Sequence, residues 1–508
     1  MTGHHSIIQR GLSATRSLLA QGRFGRMFRN TPPAQFGRTE ADNIANLSAL
    51  ADRMSAGFDP PKDGPDAEES GIPALYTYLG QFIDHDITYD PVSLLTKSQD
   101  PDGLVDFRTP ALDLDNVYGR GPSDQPYIYD GLKFRLGDTL KGQDLADAND
   151  LPRFGGRALI GDPRNDENSI VSQLQSLFLR FHNRMVDDNP GLGFESVQER
   201  VRFHYQYIVL NDFLPRIISA PVLGALKTGS SYDQNKMKFF HWHNTPFMPV
   251  EFSVAAYRLG HSMIRPGYRL NSADDMLLPI FPVGELKVGL TGFQTMAVGR
   301  AIDWGRFIDI DNRAYGGDGE DAANKLRLQF AYRIDASLVS PLKKLPDLVA
   351  SDPPPSLGLR NLERGWRLRL PSGQAVAKAM QINPLDDSDI LIGKAVDVPD
   401  PGEEPVPIDQ IANGAFAKNC PLWTYVLAEA AHQSTPLKIP VTGPPKTINT
   451  PQLGPVGGRI VAEVILGLIF GDPTSMLSLD PQWKPVTGPD FALKDFVAYA
   501  LGQGPSLH

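Results

Sequence analysis

Residues 75–86 read LYTYLGQFIDHD, and their large apolar side chains recur on the spacing of a helix. Leu75, Leu79 and Phe82 are separated by four and three residues, which places them on one face of an α-helix. Gln81, Asp84 and His85 stand at i, i+3 and i+4, so these three polar groups also share a face. The stretch therefore predicts a helix whose apolar packing is interrupted by a polar patch containing one histidine.

Two further stretches, 174–185 and 252–263, repeat apolar residues on the same helical spacing. Alternation of the kind expected for strands is scarce, and 44 prolines and 47 glycines suit long irregular connections. We predict a mainly α fold with little β structure. Residues 1–45 are expected to form an N-terminal basic arm, and residues 46–508 a single catalytic domain. Loops are expected over 90–109, 397–407 and 435–455.

Composition excludes several classes of protein. The formal net charge of −10 disfavours a nucleic-acid partner, because the average field repels phosphate. Cys420 is the only cysteine, so neither an internal disulfide nor a multi-cysteine metal cluster can form. No run of 18 apolar residues is present, and a transmembrane segment is not expected.

The first 40 residues contain six arginines and a single acid, Glu40, without the apolar core of a secretory signal. Such a start is compatible with an organelle presequence. We favour the alternative that it lies against the acidic body of the protein. The compartment stays open between the cytoplasm and export by a route that needs no such signal.

A second polar group lies at Gly161-Asp162-Pro163-Arg164-Asn165-Asp166-Glu167-Asn168, immediately before the stripe over 174–185. Arg164 and Glu167 are three residues apart around an expected helix start, with Asn165 or Asp166 as candidate cap. Alone, each of these segments is also compatible with an ordinary helix that carries a satisfied histidine or a capped end.

Together the segments resemble the animal haem peroxidases. The distal helix of that family carries Gln-x-x-Asp-His-Asp, which matches residues 81–86, and its next key helix carries Arg-x-x-Glu followed by Leu-Arg-x-His-Asn-Arg, which matches residues within 161–184. Residues 250–261 resemble the proximal segment, which ends in Arg-x-Gly-His, and residues 360–365 resemble the stretch that supplies an asparagine behind the proximal histidine. The four matches occur in the family's order, so their agreement is more specific than any one motif.

The resemblance implies a distal pair, His85 and Arg164, with Gln81 beside them. Cleavage of a peroxide O–O bond on haem iron needs a neutral base that takes a proton from one oxygen and returns it to the other, and His85 suits this role. Arg164 is suited to stabilise the charge on the departing oxygen, since a guanidinium does not titrate.

The proximal ligand of the iron is expected to be His261, with Asn361 bonded to its second nitrogen and Arg258 near the haem. His241-Trp242-His243 resembles the His-Trp-His of the cyclooxygenase branch, so His243 is the rival ligand. We prefer His261 because the match around it is longer. His182 and His204 are expected to be structural or surface histidines rather than ligands.

Asp84 and Glu167 match the positions at which this family can form ester bonds to haem methyl groups, so the expected cofactor is haem b with possible ester links. Some members add a sulfonium link from a methionine directly after the glutamate. This chain has Asn168 there, and the third link is not expected.

A calcium ion is the second cofactor that the resemblance implies. Oxygen ligands at short spacing suit Ca²⁺. The matching positions are Asp86, Thr109, the backbone carbonyl of Ala111, Asp113 and Asp115, where Asp115 replaces a serine of the family pattern. The alternative is an acidic loop that only caps a turn.

The expected function is reduction of hydrogen peroxide coupled to oxidation of small organic donors or halides. A fatty-acid dioxygenase of the same superfamily and a non-catalytic haem-binding protein are the alternatives. The radical tyrosine of the oxygenase branch stands three residues before the proximal histidine, where this chain has Arg258. Tyr257 is one residue away, which on an α-helix turns the side chain by about 100°, so we expect it to point elsewhere. This favours the peroxidase.

Overall fold

The computed structural model describes residues 22–89, 101, 104–142, 148–282, 288–319, 321–347, 349–350 and 352–507. The fold is mainly α, as predicted. In chain order the helices are α1 Glu40–Met54, α2 Leu75–Ile87, α3 Asp115–Tyr118, α4 Ser169–Asp188, α5 Phe194–Ile208, α6 Leu214–Ile217, α7 Ala220–Gly224, α8 Leu357–Arg367, α9 Gly373–Ala379, α10 Leu422–His432, α11 Pro455–Gly471, α12 Met476–Leu479 and α13 Leu493–Ala500.

The strands are short. They are β1 Gly22–Gly25, β2 Glu69–Pro73, β3 Val105–Asp106, β4 Tyr129–Asp130, β5 Lys133–Phe134, β6 Thr139–Leu140, β7 Ala148–Asn149, β8 Arg153–Phe154, β9 Arg157–Ala158, β10 Lys227–Thr228, β11 Ser231–Tyr232, β12 Met248–Pro249, β13 Gly267–Arg269, β14 Leu277–Pro279, β15 Phe330–Tyr332, β16 Leu391–Ile392, β17 Val406–Pro407, β18 Thr435–Lys438 and β19 Thr447–Thr450. Among the described residues, β12, β1 and β3 form a three-stranded sheet and the other strands pair in twos.

Helices α2 and α4 pack against each other in the core, and α2 carries the polar patch of Gln81, Asp84 and His85. The rings of Phe82 and Phe178 stack with centroids 4.3 Å apart, and Phe178 also packs on Phe496 of α13 at 4.6 Å. Asn168 caps α4, because its Oδ1 accepts the backbone N–H groups of Ile170 and Val171. The helices predicted from the first two stripes are confirmed.

Helix α11 lies at the centre of the molecule and is buried over Val456–Ile469. Pro455 occupies its first turn, where a missing N–H costs nothing. The buried carboxylate of Glu429 accepts the N–H groups of Val456 and Gly457, so α10 caps α11. None of the helices in the described ranges is long and apolar enough to cross a membrane.

The apolar spacing of residues 252–263 predicts a continuous helix, and that prediction is wrong. A π-helical turn, Glu251–Ala255, is followed by a 3₁₀ helix, Ala256–His261. The break is at Ala255, whose φ of −128° and ψ of −79° are not helical. The 3₁₀ segment has three residues per turn, so Arg258 and His261 lie above one another on the same side.

Part of the predicted arm is ordered against the body. Strand β1 runs parallel to β12 and antiparallel to β3, and the carboxylate of Glu251 accepts the N–H groups of Met27 and Phe28. The proposed division after residue 45 falls inside α1, which packs on α8.

The predicted loops are partly different. Residues 90–100 and 102–103 of the first loop lie outside the described residues. In the segment 435–455, β18 and β19 form an antiparallel hairpin instead of a loop. Leu437 and Ile448 pair across the hairpin, and the three threonines of the two strands favour β structure, which outweighs the neighbouring turn residues.

Candidate active site

A cavity of about 560 Å³ lies where α2, the start of α4, the 3₁₀ helix Ala256–His261 and α8 meet. Eight side chains expected at a haem line it together. From α2 and the segment before α4 these are Gln81, Asp84, His85, Arg164 and Glu167; from the 3₁₀ helix and α8 they are Arg258, His261 and Asn361. Residues up to 280 positions apart in the chain are thus brought to one space.

His85 is buried and its tautomer is set by a chain of amides. Its Nδ1 lies 2.7 Å from Oδ1 of Asn165, and Nδ2 of Asn165 donates to Oε1 of Gln175 at 2.8 Å. The second bond orients the amide so that its oxygen faces the ring. The proton of the neutral imidazole therefore sits on Nδ1, and Nε2 keeps its lone pair.

Burial and, to a lesser extent, the positive charge of Arg164 lower the pKa of His85 to about 4. The imidazole is neutral at neutral pH. A buried neutral imidazole with a free Nε2 can accept a proton.

Arg164 is fixed by several acceptors. Its Nη2 donates to the carbonyls of His85 at 3.0 Å and Thr88 at 2.7 Å, and to the carboxylate of Asp162 at 2.7 Å. Asp162 is fully buried and also binds Arg108. Burial would raise the pKa of Asp162, but the two guanidinium groups outweigh it and lower that pKa. Arg164 is therefore a fixed cation tied to the end of α2.

Gln81 and Glu167 form a second polar group. Nε2 of Gln81 donates to Oε1 of Glu167, and Nδ2 of Asn168 donates to Oε1 of Gln81 at 3.3 Å. Oε1 of Glu167 lies 3.9 Å from Nε2 of His85. The side chain of Glu167 is 34% accessible, but that access is to the cavity, and burial raises the pKa of its carboxyl to about 7.

His261 borders the cavity from the 3₁₀ helix. Its Nδ1 lies 2.8 Å from the side-chain amide of Asn361 on α8, so Nε2 is the nitrogen left for a metal. Ligation through Nε2 requires the proton on Nδ1, and the amide then presents its oxygen after a half-turn of its terminal group. Burial, with Arg258, lowers the pKa of His261 to about 3, which keeps the imidazole neutral as a ligand must be.

The remaining histidines lie elsewhere. His241 and His243 are exposed and outside the lining of the cavity. His182 is buried, with Nδ1 2.9 Å from the hydroxyl of Tyr118 and Nε2 2.8 Å from the carbonyl of Leu132. His204 is buried against Trp483, and its Nδ1 lies 2.7 Å from the carbonyl of Arg200. The geometry favours His261 over His243.

Tyr257 lines the same cavity, which differs from the sequence expectation. The expectation assumed an α-helix with about 100° between neighbours, whereas this segment is 3₁₀ and begins after the break at Ala255. The ring of Tyr257 stacks on Phe252 with centroids 4.6 Å apart. A cavity phenol is therefore present, although not at the position of the radical tyrosine.

Sequence reasoning missed four side chains of the site: Asn165, which sets the tautomer of His85, and Tyr89, Arg360 and Arg364, which line the cavity. Arg360 and Arg364 stand one turn apart on α8 beside Asn361, so the motif around Asn361 contained the signal for them. No local signal marked Asn165 as a partner of a histidine 80 residues earlier.

The donors of the cavity fit an iron porphyrin. His261 offers a neutral ring nitrogen, and Arg258, Arg360 and Arg364, which also line the cavity, supply positive charge for carboxylate substituents. His85 and Arg164 line the same cavity. Arg164 binds the backbone carbonyl of His85 and not its ring, so Nε2 of His85 stays available. The residues present therefore fit haem.

An acidic cluster lies directly behind the distal residues. Oxygen atoms of Asp86, Asp113 and Asp115 lie within 4.8 Å of one another. Asp86 is fully buried, and neither of its oxygens accepts a hydrogen bond of normal geometry from a described residue. Burial and the two neighbouring carboxylates raise its pKa well above the usual range. Such a carboxylate is stable as an anion only beside a cation.

The other expected calcium ligands are in the same loop. Oγ1 of Thr109 donates to Oδ2 of Asp113 at 2.8 Å. Ala111, which lies between these two residues in the sequence, is buried. Nη1 of Arg108 lies 3.3 Å from Oδ1 of Asp115, so that carboxylate already has one positive neighbour. The donor set is oxygen only, which suits Ca²⁺.

Comparison with known proteins finds partial matches to peroxidases. Residues 95–281 match the family model described as animal haem peroxidase. A peroxidase-like protein of Margaritifera margaritifera is 29% identical over 143 residues, which is 25% of this chain and 17% of the relative. Thyroid peroxidase of Sus scrofa is 25% identical over 204 residues, 33% of this chain and 20% of the relative. The matched segments thus span a fifth or less of these curated relatives.

Two solved structures share the fold along most of the chain. Peroxidase A from Dictyostelium discoideum gives a TM-score of 0.57 at 17% identity, covering 91% of this chain and 89% of the other. A fatty acid alpha-dioxygenase of Oryza sativa gives 0.55 at 16% identity, covering 91% and 79%. At these identities the likeness concerns the fold alone.

Proposed function

We propose that this chain is an animal haem peroxidase, which reduces hydrogen peroxide and oxidises small organic donors or halides in return. The observation that carries the proposal is the contact of 2.7 Å between Nδ1 of His85 and Oδ1 of Asn165, which assigns the free lone pair to Nε2. A neutral imidazole with a free Nε2 stands in one cavity with a fixed guanidinium and a second histidine suited to iron. Retention of a cofactor alone does not require such an acid–base pair.

Haem, when bound, supplies the iron at which the peroxide bond is cleaved and stores the oxidising equivalents. His261 would hold the iron through Nε2, and the bond from Nδ1–H to the Asn361 amide would keep the ring oriented and raise its basicity. Arg258, Arg360 and Arg364 would bind carboxylate groups of the porphyrin.

His85 moves the proton. Its Nε2 accepts a proton from hydrogen peroxide, while Nδ1–H stays bonded to Asn165, and Nε2 then gives the proton to the departing oxygen. Arg164 stabilises negative charge on that oxygen. Its bonds to Asp162 and to two carbonyls of the α2 end mean that no reorganisation of the guanidinium is needed.

Asp84 and Glu167 are proposed as sites of ester links to haem, and Asp86, Thr109, Ala111, Asp113 and Asp115 as the calcium site. Both carboxyl groups of the first pair line the cavity. For the second set, the support is the buried, unsatisfied carboxylate of Asp86 among two others.

Steady-state kinetics of haem-loaded protein test the proposal. Wild type should oxidise guaiacol in a reaction that depends on peroxide. His85→Ala and Arg164→Leu should each lower kcat/KM for peroxide by about 100-fold or more without loss of haem. A kcat/KM for peroxide equal to that of wild type in both single variants would overturn the assignment of the distal pair.

Fatty-acid dioxygenation is the second candidate function, and the observation that favours it is that Tyr257 lines the cavity. A phenol that lines the cavity, together with apolar walls from Ile280, Phe281 and Leu290, is what hydrogen abstraction from an acyl chain would need. We expect little oxygen uptake with linoleate, because Arg258 occupies the radical position. Oxygen consumption at the rate of phenol oxidation, abolished in Tyr257→Phe, would establish the dioxygenase instead.

A further inference from the structure

We propose that Tyr89 is a positioning residue, which holds the guanidinium of Arg164 in orientation and covers one of its faces. The inference rests on the proposed function, in which Arg164 assists peroxide cleavage. Tyr89 lies outside the four family-like motifs, and it borders the cavity two residues after α2 ends.

The ring of Tyr89 is in contact with two cations. The guanidinium carbon of Arg164 lies 4.5 Å from the centroid of the ring, and that of Arg108 lies 5.9 Å from it. Both distances fall within the roughly 6 Å range of cation–π attraction. Both guanidinium groups also bind the carboxylate of Asp162, so the ring and the carboxylate act on the same pair.

The two kinds of contact restrain different motions of Arg164. Hydrogen bonds from Nε and Nη2 to Asp162, Thr88 and His85 act at the edge of the guanidinium and fix its position in that plane. They resist a small tilt of the plane less, because a tilt about the bonded edge leaves the donor–acceptor distances nearly unchanged and the angles within the preferred range above about 150°. An aromatic ring over the face resists the tilt directly.

Tyr89 is itself held firmly. Its N–H donates to Oδ1 of Asp106 at 2.7 Å, and its carbonyl accepts the N–H of Phe107 at 2.9 Å. The rings of Tyr89 and Phe107 meet edge to face at 6.3 Å. The position of the ring is therefore determined by the backbone around β3 and can act as a fixed support.

The ring also affects the strength of the charge. Arg164 keeps a side-chain accessibility of 21%, and the ring of Tyr89, with its centroid 4.5 Å from the guanidinium carbon, excludes water from the side that it occupies. A cation with less water around it interacts more strongly with a charge that develops nearby. Loss of the ring should thus weaken stabilisation of the departing oxygen, even if Arg164 remains in place.

The test uses the haem-loaded protein and four variants: Tyr89→Phe, Tyr89→Leu, Arg164→Met and the double variant Tyr89→Leu/Arg164→Met. Two quantities are measured for each, kcat/KM for peroxide and the dissociation constant of cyanide on the ferric protein. Cyanide is the anionic probe whose binding depends on distal hydrogen-bond donors. Thermal unfolding and near-UV circular dichroism report whether each variant is folded.

We expect Tyr89→Phe to stay within about twofold of wild type in both quantities, because the ring is retained. Tyr89→Leu should lower kcat/KM for peroxide and weaken cyanide binding by about 3- to 30-fold, the range that corresponds to one cation–π contact. The KM for guaiacol should not change. In the Arg164→Met background, Tyr89→Leu should have no further effect, since the cation it acts on is absent.

Two results would overturn the inference. An effect of Tyr89→Phe as large as that of Tyr89→Leu would assign the role to the hydroxyl, as in an electron relay. An undiminished effect of Tyr89→Leu in the Arg164→Met background would show that it acts independently of the guanidinium. If wild type binds cyanide but does not turn over peroxide, the proposed function fails, while the cyanide cycle still decides the role of Tyr89.

Discussion

Replacement of Asn165 by leucine should weaken His85 as a base, although the histidine itself is unchanged. Oδ1 of Asn165 accepts the proton of Nδ1 at 2.7 Å, and both side chains are buried. Leucine has a similar volume but no acceptor, so Nδ1–H would be left without a partner. An unpaired buried donor costs about 1–3 kcal/mol.

The imidazole can avoid that cost by moving its proton to Nε2, which faces the cavity. The tautomer with a free Nε2 lone pair would then fall in population by about 5- to 150-fold, the factor that corresponds to 1–3 kcal/mol. We expect kcat/KM for peroxide to fall by the same factor. Stability should fall as well, because Oε1 of Gln175 loses its donor.

Stopped-flow measurement of the reaction with peroxide gives the rate, and urea unfolding gives the stability. Asn116→Leu is the matched control: Asn116 is also fully buried and its Nδ2 donates to the carbonyl of Phe82 on the same helix, α2, at 3.2 Å. The control should lose stability and keep its rate per folded haem. An Asn165→Leu protein with the wild-type rate would refute the view that Nε2 of His85 is the base.

His261→Ala should abolish tight haem binding, measured by haem titration, whereas exposed His243→Ala should bind as wild type does; the opposite pattern would place the ligand at His243. Peroxide turnover should link haem covalently through Asp84 and Glu167, so that acid–acetone no longer extracts it, and extraction should return in the Asp84→Asn/Glu167→Gln double variant. Full extraction from treated wild type would contradict the ester links. Metal analysis should find about one calcium ion per chain, and its removal should lower activity by displacing Asp86 and with it His85. Active protein without calcium would contradict that site.

Helical spacing predicted α2 and α4 because each carries a complete apolar stripe. The break at Ala255 was not predictable, since Val254, Ala255 and Ala256 are all compatible with a continuous helix. The break at Ala255 is explained by the position of this segment beside the cavity. The π and 3₁₀ turns place Ser253, Tyr257 and His261 together on the cavity.

Contacts across the chain required the structure or the family resemblance. Asn361 and His261 are 100 residues apart, and spacing could not have paired them. The sequence indicates Asn165 as a candidate helix cap, whereas in the structure Asp162 and Asn168 are the caps and Asn165 binds His85. An asparagine before a helix can cap that helix or bind a distant histidine, and the surrounding sequence is the same in both cases. Only the fold shows which role Asn165 has.

The most direct test of the account is one absorption measurement on the protein expressed with haem. The Soret band is recorded before and after addition of one equivalent of hydrogen peroxide, and again after a phenol. The account predicts a haem-loaded ferric spectrum that changes within the mixing time on peroxide and returns on the phenol. A protein that binds no haem, or a Soret band that one equivalent of peroxide leaves unchanged, would contradict the assignment of this cavity as a peroxidase site.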